Sequence, residues 1–282
     1  MDVVEVLPEL VMFRFPVGHA YLWRDPSGLT LIDTGVPGSA RSIAAALDDL
    51  GHRTTDVRRI LLTHYHVDHT GSAAEIAALG ADTAGRSADL SGRGGDLSGR
   101  GSDLSGQSAD LPGRGSGSAA WGAPEVYAHR LDAPMIRGAA DGPPPILVSE
   151  GERELFAQVH AAAGAPATAP PVRVDHELDD GDEIDLGGGV TAVCVAAPGH
   201  TPGSVAFHLP GPGVLFPGDT IARGPDGTVM LGVFNYDPPT AAASLRKQAA
   251  LAPRIACFGH GDPLTKDTAA ALAATAAGLP PP

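Results

Sequence analysis

Four apolar runs in this chain lead directly into turns that carry histidine or aspartate, and this pattern constrains the fold more than any other feature of the sequence. The runs cover residues 58–62, 190–196, 214–216 and 254–258. Short apolar runs bounded by glycine and proline are typical of buried β-strands. Strands that end together deliver the polar residues after them to one rim of a sheet. We therefore expect seven side chains to converge there: His64, His66, Asp68, His69, His200, Asp219 and His260.

The first run is followed by three histidines and one aspartate within six positions, His64 to His69. Isolated histidines elsewhere in the chain are explained as ordinary polar residues, but this clustering has no simple structural explanation. Neutral imidazole and carboxylate oxygen are ligands that zinc and similar metals prefer. Seven candidate ligands are too many for one tetrahedral ion and suit two. The pattern therefore predicts a metal site.

Strand-like and helical patterns alternate in two similar series. The first series has strand patterns at residues 11–15, 20–23 and 29–32, followed by a helical pattern that starts at Ser39 and stops at Gly51. The second ends with helical patterns at residues 240–251 and 265–277. Two such series predict an α/β fold in which two sheets are covered on the outside by helices.

Residues 82–120 consist largely of glycine, serine, aspartate and arginine, with four aligned heptads at residues 87–114. Each heptad contains one large apolar residue, a leucine, and at least one glycine, so it can form neither a coiled-coil seam nor a stable helix. We interpret this segment as a disordered surface insertion within a single domain that covers residues 1–282. A repeat-type calcium-binding or interaction module is the alternative.

Composition limits the choice of partners and compartment. The net charge of −14 argues against nucleic acid and against an anionic membrane surface, so we expect a small-molecule substrate. The two cysteines, Cys194 and Cys257, lie in apolar runs and are expected to be free thiols. The first ten residues lack the pattern of a signal peptide, and a cytoplasmic monomer or homodimer is the expectation.

In their order and spacing these motifs resemble those of the metallo-β-lactamase superfamily, in particular its glyoxalase II-like and lactonase-like branch. The resemblance rests on Asp33 in Asp-Thr-Gly, on the cluster from His64 to His69, and on His200, Asp219 and His260. It covers nearly the whole chain apart from the insertion. It implies an αββα four-layer sandwich with the metal ions at one edge, between the sheets.

The resemblance also implies a role for each residue. His64, His66 and His200 would bind one ion, Asp68, His69 and His260 the other, and Asp219 would bridge them. Asp33 would hold a ligating imidazole in its productive tautomer, with an ordinary aspartate in a turn after a strand as the alternative. Two divalent ions, zinc first and iron or manganese as alternatives, would hold a hydroxide that attacks the substrate. Asp68 would carry the proton to the leaving group.

The substrate is narrowed by elimination. Exported β-lactamases lack an aspartate that matches Asp219. Ribonuclease Z must bind RNA phosphates, which the net charge of −14 disfavours. Flavodiiron proteins carry glutamate where His66 stands. Small esters, lactones and thioesters remain. Against a lactonase, Ala222 stands where those enzymes place a tyrosine, a role that Tyr236 could take over. Against a glyoxalase II, Lys266 is the one basic residue after His260 that could bind a glutathione-type carboxylate.

Three further expectations stay open at this point. Residues 230–236 carry large side chains, and we expect Phe234 and Tyr236 to wall the substrate pocket, with an ordinary core strand as the alternative. A mononuclear-iron persulfide dioxygenase of the same superfamily would carry a similar ligand pattern. A metal-binding protein without catalysis is the third possible class.

Overall fold

The computed structural model describes residues 1–80, 122–162 and 168–280, without the side chains of residues 160 and 162. The predicted insertion at residues 82–120, including its heptads, lies outside the described residues. Its two flanks lie side by side, since a Cβ atom placed on Gly80 would be 3.1 Å from Pro124 Cδ. The chain therefore leaves the described fold and re-enters it at neighbouring points.

Two large sheets and a small hairpin contain the strands. Their bounds are β1 (Asp2–Leu7), β2 (Leu10–Arg14), β3 (Ala20–Asp25), β4 (Gly28–Ile32), β5 (Val57–Leu61), β6 (Glu125–His129), β7 (His176–Leu178), β8 (Glu183–Gly187), β9 (Val190–Ala196), β10 (Val205–Leu209), β11 (Val214–Phe216), β12 (Ile221–Arg223), β13 (Val229–Leu231) and β14 (Ile255–Ala256). The first sheet has the order β1-β2-β3-β4-β5-β6-β7, and the second has the order β14-β11-β10-β9-β8. Strands β12 and β13 form the hairpin.

The helices lie mainly between and after these strands. Their bounds are α1 (Ala40–Asp49), α2 (Val67–Thr70), α3 (residues 73–80), α4 (Ala133–Ile136), α5 (Glu150–Ala162), α6 (Pro238–Ala249) and α7 (Thr268–Gly278). The start of α6 follows from local chemistry. Asp237 accepts a hydrogen bond from the Thr240 amide at 3.1 Å, and proline occupies the first helical position, where no amide hydrogen is needed.

Alternation along β2 separates the first sheet into two apolar faces. Val11 and Phe13 pack in a core with Ile43 and Leu47 of α1, on the outer face. The intervening residues Leu10 and Met12 belong to a second core, because successive side chains of a strand point to opposite faces. Helix α1 therefore covers one side of this sheet.

The second core fills the space between the sheets. It joins Met12 of the first sheet to Cys194, Phe207 and Phe216 of the second. A third core packs Leu215 of the second sheet against Leu245 of α6 and against α7. The three apolar layers separate four layers of secondary structure, and the predicted αββα sandwich is confirmed. Among the described helices, none has both the length and the apolar character needed to cross a membrane.

Some boundaries differ from the sequence-based expectation. The helix expected at residues 240–251 begins two residues earlier, at Pro238, and ends at Ala249. The last helix starts at Thr268, three residues later than expected, because Leu264 pairs with Ala256 as an isolated β-bridge and Asp267 adopts a φ of 54°. These differences lie at element ends, where local pairing overrides propensity.

Candidate metal centre

All seven candidate ligands lie in segments that follow buried strands. His64 and His66 follow β5, Asp68 and His69 lie in the short helix α2, and His200, Asp219 and His260 follow β9, β11 and β14. Strands β9 and β11 are both antiparallel to β10, and β14 is parallel to β11. The carboxyl ends of β9, β11 and β14 therefore meet at one edge of the second sheet.

The matching edge of the first sheet contacts this edge directly. Strands β4 and β5 are parallel, and the segment after β5 reaches the second sheet through a hydrogen bond from the Val205 amide to the Thr63 carbonyl at 2.9 Å. A second link runs from the His19 amide to the Gly259 carbonyl at 2.8 Å. Side chains from both sheets consequently converge at this edge.

The first group of ligand atoms belongs to His64, His66 and His200, which offer one nitrogen each within 4.8 Å of one another. His66 Nδ1 lies 2.9 Å from His200 Nε2. His64 uses its Nδ1 for a 3.0 Å contact with Thr63 Oγ1, which leaves its Nε2 for the group. We call these three residues the triple-histidine group.

The second group consists of Asp68, His69, Asp219 and His260, again within 4.8 Å of one another. His260 Nε2 lies 3.2 Å from Asp68 Oδ2, and His69 Nε2 lies 3.3 Å from Asp219 Oδ1. These residues form the mixed group, in which each imidazole faces a carboxylate.

Asp219 faces both groups. Its Oδ2 lies 3.1 Å from His260 Nε2 in the mixed group, 3.7 Å from His200 Nε2 and 4.0 Å from His64 Nε2. The other carboxylate oxygen faces His69. A single side chain therefore contributes oxygen atoms at the boundary between the two groups.

The spacing fits divalent metal ions. In a tetrahedral site with ligand bonds of about 2.0–2.1 Å, neighbouring ligand atoms lie about 3.3 Å apart. The closest pairs in the two groups are separated by 2.9 to 3.3 Å. His64 Nε2 is buried and, within the described part of the chain, has no hydrogen-bond partner. A buried nitrogen lone pair without a donor is costly, and a cation would satisfy it.

Burial keeps the triple-histidine group uncharged. It lowers the pKa of His66 to about 3, holds the pKa of His64 well below its ordinary value and lowers that of His200. Neighbouring imidazoles act in the same direction. These histidines are therefore neutral near pH 7, the form in which an imidazole can bind a metal.

The mixed group has the opposite electrostatics. Asp219 raises the pKa of His260 to about 10. Burial acts to lower the pKa of His69, but Asp219, Asp68 and Asp33 outweigh it and hold the pKa well above its usual range. Burial likewise acts to raise the pKa values of both acidic ligands, which the two histidines hold low. The group thus stabilises positive charge, which a metal ion can supply in place of protons.

Asp33 and Thr34 form hydrogen bonds with His69 and with Thr63, the residue before His64. Asp33 Oδ2 lies 2.8 Å from His69 Nδ1, and its Oδ1 accepts a hydrogen bond from the Thr63 amide at 2.8 Å. Thr34 donates its hydroxyl hydrogen to the His69 carbonyl at 2.8 Å. The structure thus places Asp33 where the sequence pattern predicts, and its role in fixing a tautomer stays a prediction.

Glycine is required at position 259 by close packing. A Cβ atom there would lie 2.6 Å from His69 Cε1 and 2.7 Å from Asp219 Oδ1. Separations below 3.0 Å force a neighbour to move, so any side chain at this position would displace two of the candidate ligands. Glycine at position 259 therefore lets the backbone directly before His260 lie against His69 and Asp219.

A cavity of about 590 Å³ borders the mixed group at His260, whose side chain is 37% exposed. Its remaining lining comes from residues 223–227, 261 and 262. Phe234 and Tyr236 do not line this cavity or a second one of about 390 Å³ between α5 and residues 231–238. Both are half-buried, and their predicted contact with substrate stays a prediction.

Sequence reasoning missed two residues that contact the ligand segments. Thr63 lies beside both Asp33 and His64, and its position directly before the histidine cluster was the available signal. Asp132 accepts hydrogen bonds from the segments that carry His66 and His200. No local pattern marks Asp132, because its partners are 67 and 69 positions away.

Comparisons with known proteins agree with this geometry. Residues 14–260 match the sequence model of the metallo-beta-lactamase superfamily. A hydroxyacylglutathione hydrolase of Fuscovulum blasticum is 40% identical over 105 residues, which are 37% of this chain and 38% of that enzyme. A probable metallo-hydrolase of Bacillus subtilis (strain 168) is 25% identical over 260 residues, 86% of this chain and 78% of the relative.

Solved structures share the fold at lower identity. A metallo-beta-lactamase family protein from Thermus thermophilus superposes with a TM-score of 0.59 at 22% identity, covering 97% of this chain and 78% of that one. A subclass B3 metallo-beta-lactamase of Bradyrhizobium japonicum gives 0.56 at 20% identity, with 99% and 83% covered. The match to the family model spans most of the chain, and the protein belongs to the metallo-β-lactamase superfamily.

Proposed function

We propose that this protein is a hydrolase of a small-molecule ester, thioester or lactone that uses two divalent metal ions, zinc being the first candidate. The observation that carries the proposal is the position of Asp219, whose two carboxylate oxygens face the triple-histidine group and the mixed group at once. Two adjacent sets of ligands joined by one carboxylate suit a two-metal site.

Each residue then has a defined task. His64, His66 and His200 would hold one ion, Asp68, His69 and His260 the other, and Asp219 would contribute to both. When bound, the ions would lower the pKa of a water molecule and polarise the carbonyl oxygen of the substrate. Asp33 would orient the His69 imidazole through its Nδ1 atom, and Thr63 would orient the His64 imidazole in the same way. The Nε2 atoms of both histidines then remain available as ligands.

Asp68 is the residue we assign to proton transfer. Its side chain is 20% exposed, whereas that of His69 is fully buried. A carboxylate at the solvent side of the group can accept the proton of the attacking water and deliver it to the departing alkoxide or thiolate. His69 and His260 hold the pKa of Asp68 low against the effect of burial, which keeps this carboxylate ionised.

The substrate would occupy the cavity beside His260. This cavity reaches a ligand of the mixed group, and a volume of about 590 Å³ is within the range of small-molecule sites. The Arg223 side chain is held by the Gly227 and Asp262 carbonyls, which fixes the lining on this side. The net charge of −14 disfavours a polyanionic substrate.

The relatives support hydrolysis and leave the bond type open. The name of the Fuscovulum blasticum relative states hydrolysis of a hydroxyacylglutathione, and thioesters are among the bonds we propose. Since the chain spans 38% of that enzyme, this activity is a proposal for the present protein. One basic residue, Lys266, follows His260, so the binding of a glutathione carboxylate has little support from the sequence.

The test combines metal content with a substrate panel. Protein purified without added metal is expected to contain two zinc ions per chain and to hydrolyse at least one member of a panel of esters, lactones and thioesters. Asp219→Asn is expected to lose both ions and all activity. The matched control Asp185→Asn, whose side chain is exposed in β8 and lines neither cavity, is expected to keep both.

Two results would overturn the proposal. One iron per chain together with oxygen uptake in the presence of glutathione persulfide would assign the dioxygenase function. Tight metal binding without turnover of any substrate would assign a metal-binding protein without catalysis.

A further inference from the structure

Asp132 is a fully buried carboxylate that the proposed chemistry does not use. It is 0% exposed and occupies the N-cap position of α4, after β6. An aspartate at this position normally accepts hydrogen bonds from the first amides of the helix. Here the side chain makes no such cap bond. Its oxygens are directed at other parts of the molecule.

The carboxylate of Asp132 connects two ligand-bearing segments. Its Oδ2 accepts hydrogen bonds from the Tyr65 amide at 3.0 Å and from Thr201 Oγ1 at 2.6 Å. Its Oδ1 accepts one from the Gly203 amide at 2.6 Å. Tyr65 lies between His64 and His66, and Thr201 directly follows His200. One side chain thus contacts both segments that supply the triple-histidine group.

The turn after His200 is built around this carboxylate. A Cβ atom on Gly203 would lie 2.5 Å from the Asp132 amide nitrogen, so glycine permits the close approach. Ser204 Oγ accepts a hydrogen bond from the Thr201 amide at 2.9 Å and lies 2.7 Å from Thr201 Oγ1. The Thr201 hydroxyl is therefore fixed in direction, with its hydrogen available to Asp132.

Among the described residues, no cationic side chain forms a hydrogen bond or an ion pair with the Asp132 carboxylate. Burying a carboxylate without a counter-ion costs free energy that hydrogen bonds offset only in part. Burial accordingly raises the pKa of Asp132 to about 6, while the three donors act to lower it. An apolar residue at this position would leave the Tyr65 amide, the Thr201 hydroxyl and the Gly203 amide without this acceptor, so the carboxylate is what joins the two segments.

We propose that Asp132 is a positioning residue that fixes the 2.9 Å separation of His66 Nδ1 and His200 Nε2 and thereby sets the affinity of the triple-histidine group for its metal ion. The inference rests on the metal sites of the proposed function. Among the hydrogen bonds of the Asp132 side chain, none is made with Asp68, His69, Asp219 or His260 themselves. We therefore expect its effect to fall on the triple-histidine group.

The experiment is a cobalt(II) titration of metal-free protein, followed by visible absorption. The two binding steps are first assigned with His66→Ala, which removes the triple-histidine step, and His260→Ala, which removes the mixed-group step. Asp132→Asn keeps the size of the side chain but turns an amide hydrogen toward one of the three donors. It is expected to weaken the triple-histidine step by roughly 10–100-fold and to leave the mixed-group step unchanged.

Two further variants separate positioning from folding. Thr201→Val removes one donor to Asp132 at nearly constant volume, and the same step is expected to weaken by a smaller factor. Asp175→Asn is the matched control, because Asp175 accepts a hydrogen bond from the Val126 amide at the opposite end of β6. It is expected to lower the unfolding temperature without a selective change in either step.

Three outcomes contradict the inference. Equal weakening of both steps in Asp132→Asn, or lower stability with both affinities intact, would make Asp132 a purely structural residue. Unchanged affinity in Thr201→Val together with unchanged affinity in Asp132→Asn would do the same. Failure of the wild-type protein to bind two cobalt ions would instead contradict the proposed function, a result distinguishable from the others.

Discussion

The Asp33 carboxylate accepts a hydrogen bond from His69 Nδ1 at 2.8 Å, which leaves His69 Nε2 directed at Asp219 Oδ1, 3.3 Å away. An ionised carboxylate can only accept, so this contact places the proton on Nδ1. The same carboxylate accepts from the Thr63 amide and hydroxyl. We therefore expect Asp33 to fix both the tautomer and the orientation of this imidazole.

Asp33→Asn is expected to weaken binding of the mixed-group ion by roughly 10–100-fold, the usual cost of losing a partner behind a metal ligand. Asparagine tolerates the φ of 58° at this position, so the backbone should be retained. Metal titration provides the measurement, with Asp25→Asn in a surface turn as control. Unchanged affinity for both ions would show that Asp33 is only a turn aspartate.

Phe234 adopts a φ of 60°, a conformation that is strained for a side chain with a Cβ atom. Its ring packs edge to face on Phe156 at 5.2 Å. Phe234→Ala and Phe234→Gly both lose this packing, but only the glycine variant loses the backbone strain. Phe234→Gly is expected to exceed Phe234→Ala in free energy of unfolding by about 1 kcal/mol. Chemical denaturation measures the difference, and the reverse order would contradict it.

Deletion of residues 87–114 is expected to leave the unfolding temperature and the metal content nearly unchanged. The physical reason is the proximity of Gly80 to Pro124, which lets a shorter connection join the same two points. Loop closure changes by only about 0.6 kcal/mol for each doubling of loop length. Calorimetry and elemental analysis test this expectation. Loss of both folding and metal would refute the interpretation of this segment as a surface insertion.

Native thiols are expected to react slowly with iodoacetamide near neutral pH. Burial raises the pKa of the Cys194 thiol to about 12 and raises that of Cys257 further. Since the thiolate is the reactive species, both cysteines should stay unmodified in the folded protein and react after denaturation. Mass spectrometry counts the modified residues. Rapid labelling of the native protein would show that this core opens readily.

The sequence alone predicted the parts of the site that depend on local order. His200, Asp219 and His260 each follow an apolar strand, and parallel strands that end together must present such residues at one edge. The two similar series of strand and helix patterns predicted two sheets covered on the outside by helices, and the alternation along β2 is what separates the two apolar faces in the structure. Such features can be predicted from the two-residue period of side chains along a strand and the direction of the neighbouring strands.

Long-range contacts were not predictable in this way. Asp132 precedes a helix, and the local pattern therefore indicates an ordinary N-cap, whereas the folded chain directs its carboxylate at residues far away in sequence. The positive φ of Phe234 was also not predictable, since no sequence rule places a phenylalanine in a left-handed conformation. Both features arise from tertiary packing that overrides local preference.

The meeting of the insertion's two flanks at Gly80 and Pro124 also bears on how this chain can diverge. Tandem duplication or loss of whole heptads would change the length of the protein without changing the distance between α3 and β6. On the interpretation of residues 82–120 as a surface insertion, we expect the arrangement of the candidate ligands to stay the same when the number of repeats changes. Selection on the site and expansion of the repeat can then proceed independently, and closely related chains could differ in length by multiples of seven residues while sharing the same arrangement of histidines and aspartates.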